Sequence, residues 1–124
     1  MNALNRAEHA YSTTANPVRT ERGLEYEAFA RATRRLSEAS KPKAPFATLA
    51  EALHTNNRLW NIIAAACADD DNQLPRDLRA RLFYLCEFTR QHSQQCLNGE
   101  AEPGALVEIN RAVMAGLRAE GPGR

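Results

Sequence analysis

The sequence has little cysteine, no long apolar run and almost no excess of charge, and each shortage excludes a class of protein. The sequence has only three cysteines, and this small, odd number argues against a disulfide framework. It fits a protein of the reducing cytoplasm. The longest apolar run, residues 62–68, is far too short to span a bilayer, and the first residues lack the apolar region of a signal peptide, so we expect neither anchor nor leader. The net charge of +1 gives no general attraction to nucleic acid or membranes.

Stretches that alternate apolar and polar residues are also missing, which removes the main signal for β-strands. The sequence instead places apolar residues at steps of three and four, in five segments separated by helix-breaking residues. This pattern predicts an all-α, single-domain helical bundle of about five helices over residues 1–124. Within it we expect a short N-terminal helix and linker over residues 1–17 and a frayed tail over residues 118–124.

The predicted helices begin and end at recognisable residues. The second segment starts near Thr20, and the third spans about residues 46–68. The fourth opens with Pro75, which suits a first helical position, and stops at Asn98-Gly99; the fifth opens at Pro103. The second half of the third segment is apolar nearly all round, which predicts the most buried helix of the bundle.

The first segment, residues 3–11, is the weakest helix on its own. It carries Leu4, Ala7 and Tyr11 at helical spacing on one face. So short a helix is marginal in water. It must therefore dock on the rest of the protein or on a partner.

Residues with reactive or metal-binding side chains do not form a recognisable site. The sequence has no Ser/His/Asp constellation and no Gly-rich phosphate loop, so we expect no enzyme, no catalytic residue and no cofactor. His92 and Cys96 stand one turn apart but lack two further metal ligands, so a core histidine and a core cysteine are favoured. Residues 69–71 are acidic but lack the glycine and glutamate positions of a calcium loop, which favours a solvated loop. We therefore expect no metal.

Three asparagines within the predicted helices leave one question open. Asn56, Asn57 and Asn110 lie on or beside apolar stripes. They are either buried amides with hydrogen-bond partners, the favoured interpretation, or polar handles for a partner helix. The cysteines Cys67 and Cys86 have no base near them in sequence, which favours a structural role.

Four stretches stand out by their order and spacing. They are residues 1–29, with Met1-Asn2-Ala3, Ala10-Tyr11, Pro17-Val18-Arg19-Thr20 and Glu25-Tyr26-Glu27-Ala28-Phe29, then residues 53–60, 72–82 and 106–117. Together they resemble the flagellar biosynthesis regulator FlaF of alphaproteobacteria over nearly the whole chain. The resemblance implies a role in producing and exporting flagellin, alongside the translational regulator FlbT, through chaperone-like binding of flagellin. It implies no catalytic residue and marks no flagellin-binding motif.

A flagellin chaperone must cover amphipathic helical ends of a subunit, and grooves between helices serve this mode of recognition. We place the partner groove on the first segment and its neighbour, at Leu4, Tyr11, Tyr26 and Phe29, because the first segment is too short to be stable alone and ends in a tyrosine.

The alternative is an RNA-binding regulator of flagellin translation that uses the basic patch Arg31, Arg34 and Arg35. The patch lacks interleaved aromatic residues for base stacking. A solvated helix face, partly paired with Glu27 and Glu38, is therefore preferred, and nucleic acid is not the favoured partner.

Overall fold

The computed structural model describes residues 24–69 and 74–119, which form four α-helices and no strand. The helices are α1 (Leu24–Ala39), α2 (Phe46–Ala68), α3 (Arg76–Leu97) and α4 (Gly104–Ala119). The all-α prediction is confirmed. The first predicted helix, residues 3–11, lies outside the described residues, so four of the five predicted helices are seen. Helix α4 runs to Ala119 and so continues into the stretch that was predicted to be a frayed tail.

The helix ends follow from proline and glycine. Pro45 and Pro75 lie in extended conformation one residue before α2 and α3. At this position a backbone N–H would have no partner within the helix, so its absence in proline carries no penalty. Pro75 therefore lies just outside the helix that it was predicted to open. At the end of α3, Gly99 has a φ of 77°. The N–H groups of Gly99 and Glu100 donate to the carbonyls of Cys96 and Gln95, which is the Schellman arrangement that a glycine permits.

Helices α1 and α2 pack along each other, and each has one further neighbour: α2 packs along α3, and α1 packs along α4. Two hydrogen bonds give the relative direction of α2 and α3. Ser93 bonds to Asn57, and Cys86 bonds to the carbonyl of Trp60, so the two helices run antiparallel. Helices α3 and α4 make few contacts with each other, although a short turn joins them.

The core consists of two apolar clusters. The first joins residues from all four helices: Leu36, Ala39, Ala52, Leu53, Cys96, Leu106 and Val107. The second is built on Phe29, Trp60, Ile63 and Cys67.

Buried polar side chains lie between the two clusters along each helix, and we call them the polar layer: Thr33, Asn56, Thr89, Ser93 and Asn110.

The second half of α2 is less buried than its composition predicted. Ile62 is 37% exposed, and Ala65 and Ala66 are also exposed. In this half the buried face carries Trp60, Ile63 and Cys67, and the burial that the composition predicted holds for that face alone. In the described ranges, no helix combines the length and the apolar character needed to cross a membrane.

Candidate functional site

The asparagines of the polar layer bond to one another and to the tryptophan. Oδ1 of Asn110 accepts a hydrogen bond of 3.0 Å from the indole nitrogen of Trp60, and Nδ2 of Asn110 donates one of 2.8 Å to Oδ1 of Asn56. Both asparagines are 0% exposed. Of the two interpretations that the sequence left open, they therefore follow the structural one. Asn57, at the edge of the layer, accepts a hydrogen bond of 2.9 Å from the hydroxyl of Ser93.

Cys86 and Cys96 both lie in environments that raise the pKa of the thiol. Burial, and next the neighbouring Cys67, raise the pKa of the Cys86 thiol to about 11, and its sulfur lies 3.4 Å from the carbonyl oxygen of Trp60. Burial, and next the carboxylate of Glu102, also raise the pKa of Cys96. Because the thiolate is the reactive form, these environments support the structural role predicted for the cysteines.

His92 and the acidic residues 69–71 were considered above as metal ligands, and the structure shows where His92 and Asp69 lie. Nε2 of His92 lies 2.8 Å from the carbonyl oxygen of Glu102, and the ring stacks on Phe88 with centroids 5.3 Å apart. The predicted core histidine is thus half-buried and ties α3 to the turn that follows it, whereas Cys96 is buried as predicted. Asp69 is exposed at the end of α2, and the rest of the acidic run lies outside the described residues.

The three arginines of the basic patch on α1 differ in their exposure to solvent. Arg34 and Arg35 are exposed and Arg31 is half-buried. A guanidinium nitrogen of Arg35 donates to the hydroxyl of Thr55 on α2 at 3.1 Å, while Glu38 pairs with Lys41 at 2.8 Å.

Two shallow grooves flank Arg34. One, of about 500 Å³, lies between α1 and α2 and includes the acidic residues Glu38 and Glu51 in its lining. The other, of about 290 Å³, lies between α1 and α4; Tyr26, Arg34, Arg111 and Met114 are among the residues that line it, and we call it the Tyr26 groove. Both grooves mix positive and negative charge, which is not the uniform basic surface of a nucleic-acid binder.

The structure describes two of the four predicted partner-binding residues, Tyr26 and Phe29. Leu4 and Tyr11 lie outside the described residues. Tyr26 is half-buried in the wall of the Tyr26 groove. Phe29 is 1% exposed, and its ring meets Trp60 edge-on with centroids 5.4 Å apart. Phe29 is therefore a core residue that a partner could reach only if the bundle opened, and we correct its assignment accordingly.

The structure adds a surface that the sequence did not indicate. Leu82 and Leu85 of α3 and Ile109 and Val113 of α4 are only partly buried, and they pack against the cluster of Trp60 and Ile63 below them. We call this surface the α3–α4 seam. The apolar stripes of the sequence include all four residues, but a stripe does not reveal which part of it a neighbouring helix leaves uncovered.

Comparison with known proteins gives one family. The family model described as Flagellar protein FlaF matches residues 7–117 of this chain. Neither the curated proteins nor the solved structures compared with the chain contain a significant match. Because the family match covers most of the sequence, the chain belongs to the FlaF family of flagellar proteins.

Proposed function

We propose that this protein is a chaperone-like factor that binds flagellin in the cytoplasm and supports its synthesis, its secretion and the assembly of the flagellum. The observation that carries the proposal is a helical domain of a flagellar family with a groove between α1 and α4 that the half-buried side chains of Tyr26 and Met114 line. Surfaces of this kind take up the apolar face of an amphipathic helix. Three free cysteines support a reducing compartment.

The contact that we propose for flagellin is the Tyr26 groove, extended by Leu4 and Tyr11 of the N-terminal segment. Tyr26 offers apolar ring area and a polar tip, and Met114 gives the groove an adaptable apolar wall. Arg34 and Arg111 at the same groove supply cations for acidic groups on the polar face of the bound helix. We also propose a functional link to the translational regulator FlbT, which the resemblance to the family implies.

The experiment is a titration of purified monomeric flagellin with the wild-type chain and with Tyr26→Ala, Tyr11→Ala and Leu4→Ala variants. Loss of an aromatic anchor at the centre of an interface weakens binding by about 10-fold or more. Tyr84→Ala is the matched control, because Tyr84 is 68% exposed on α3. Unchanged affinity in all three folded variants would reject this contact surface, and the absence of any flagellin binding by the wild type would reject the function.

The alternative, RNA binding through Arg34 and Arg35, rests on the exposure of these two side chains on α1. Backbone-driven RNA binding weakens steeply as salt increases, whereas binding in an apolar groove changes little. Titrations with flagellin and with flagellin messenger RNA at two salt concentrations therefore separate the two functions. We expect saturable, salt-tolerant binding of flagellin.

A further inference from the structure

The α3–α4 seam opens toward one end of the bundle. The contacts of Trp60 with Cys86 and Asn110 place the start of α3 and the end of α4 beside the second half of α2. Tyr26 and Met114 share a groove, so the start of α1 lies at this end too. The opposite end is closed by the turn after α3, where His92 bonds to Glu102. Because that turn joins α3 to α4 and the two helices make few contacts overall, we expect them to diverge toward the end where α1 begins.

The side chains along the open part of the seam are apolar and incompletely covered. Leu78, Leu82 and Leu85 follow one another on α3 at steps of four and three, and all are half-buried. Ile109 and Val113 of α4 have the same partial burial, and they pack against the same cluster of Trp60 and Ile63 as Leu82 and Leu85 do. Because these five side chains are only partly buried, their contribution to the free energy of folding is smaller than full burial would give.

The chain that precedes α1 can reach the seam. Residues 1–23 join the bundle at Leu24, at the open end. Between Tyr11 and Leu24 the backbone can span up to about 40 Å, which exceeds the length of α4. The stretch from Leu4 to Tyr11 has the same seven-residue separation as Leu78 to Leu85, about 10 Å of helix in each case.

We propose that residues 3–11 dock as a helix in the α3–α4 seam of the same chain, with Leu4, Ala7 and Tyr11 against Leu82, Leu85 and Val113. Docking would bury the apolar face of the short helix, which is marginal on its own in water, and would also cover the half-exposed apolar side chains of the seam. A flagellin contact through Leu4 or Tyr11 then requires the segment to leave the seam first. The docked segment therefore lowers the apparent affinity for flagellin by the fraction of chains in which it is bound.

The test uses the full-length free protein, so that it does not depend on flagellin binding. In a methyl-labelled sample we expect nuclear Overhauser effects from Leu4 to Val113 and to Leu82 or Leu85, together with helical Cα shifts for residues 3–11. A mixture of differently labelled chains shows whether these contacts arise within one chain. Contacts found only between chains would assign the seam to a second copy and overturn the proposal, as would random-coil shifts for residues 3–11.

Two variants keep the test independent of the stability of the bundle. Leu4→Asp changes no residue of the described core, so it should leave the shifts of Leu36 and Leu53 in place while it removes the helical shifts of residues 3–11 and moves the methyl signals of the seam. Tyr84→Asp, on the exposed face of α3, should change neither. Persistence of the helical shifts in folded Leu4→Asp would contradict the docking, whatever the outcome of the flagellin titration.

Discussion

The indole nitrogen of Trp60 on α2 donates a hydrogen bond to Oδ1 of Asn110 on α4, at 3.0 Å and out of contact with solvent. Because Asn110 also donates to Asn56, one amide links two helices through two side chains. Each of these polar groups would cost free energy if it were buried without its partner. The polar layer therefore stabilises one alignment of the helices over alignments in which the amides miss each other.

Replacing Asn110 should destabilise the protein strongly. Asn110→Ala leaves the Trp60 indole N–H and Oδ1 of Asn56 without their partner, and we expect the free energy of unfolding to fall by about 2–5 kcal/mol. Urea denaturation measures this change. Asn61→Ala, an exposed position on α2, is the control and should stay within about 0.5 kcal/mol of wild type.

A double-mutant cycle checks that the effect comes from the network. Asn56→Ala and Asn110→Ala should not be additive, with a coupling of about 0.5–3 kcal/mol, since the two side chains are bonded to each other. Strict additivity would show that the two amides act independently.

Substitutions of Phe29 and Tyr26 should have different effects, the first on the stability of the protein and the second on its affinity for flagellin. Phe29→Ala removes a ring that is packed against Trp60, and the loss should be about 3–5 kcal/mol of stability. Tyr26→Ala, at a half-buried position, should cost much less while it lowers flagellin affinity. Thermal denaturation and flagellin titration of the same two preparations make the comparison. A stable Phe29→Ala protein with impaired flagellin binding would restore Phe29 as a contact residue.

Two glycines should respond to alanine in opposite directions. At Gly99, φ is 77°, a left-handed conformation that costs an alanine about 1–2 kcal/mol, although no atom lies within 4 Å of the added Cβ. At Gly116, inside α4, the added Cβ also meets open space, and alanine should stabilise the helix by about 0.5–1 kcal/mol. Equal shifts of the melting temperature in the two variants would contradict this assignment.

The Cys86 thiol should be unreactive at neutral pH. Its pKa of about 11, against an ordinary value of 9.0, leaves about 100-fold less thiolate at pH 8 than an unburied cysteine has. Alkylation by iodoacetamide, followed by peptide mass spectrometry, should label Cys86 slowly in the native protein and rapidly in urea. Labelling of native Cys86 at the rate of a free thiol would disprove the shift.

The same pKa shift gives a pH dependence of stability. The folded state favours the protonated thiol, so the contribution of Cys86 is complete below the unfolded pKa near 9. It is lost as pH rises toward about 11. The free energy of unfolding should therefore fall over this range, and it should fall less in a Cys86→Ser variant that remains folded.

The sequence predicted the helices more fully than the surfaces. Apolar spacing and the residues Pro45, Pro75 and Gly99 were enough to locate α2 and α3 almost to the residue, because helix ends depend on local chemistry. The core role of Cys96 was also predictable from its place on a stripe.

Phe29 shows what the sequence did not determine. A stripe indicates which face of a helix is apolar, but Phe29 and Tyr26 lie on the same stripe, and only the position of Trp60 on another helix separates the buried ring from the half-buried one. The incomplete contact between α3 and α4 is likewise a property of tertiary packing. No pattern within either helix encodes it.

The polar layer has a consequence for how this domain can vary. The hydrogen bonds from Asn110 to α2 and from Ser93 to Asn57 would be lost if α3 or α4 shifted along α2, so these three helices keep their alignment when residues elsewhere are exchanged. Exposed positions such as Tyr84 can then be substituted without changing this alignment.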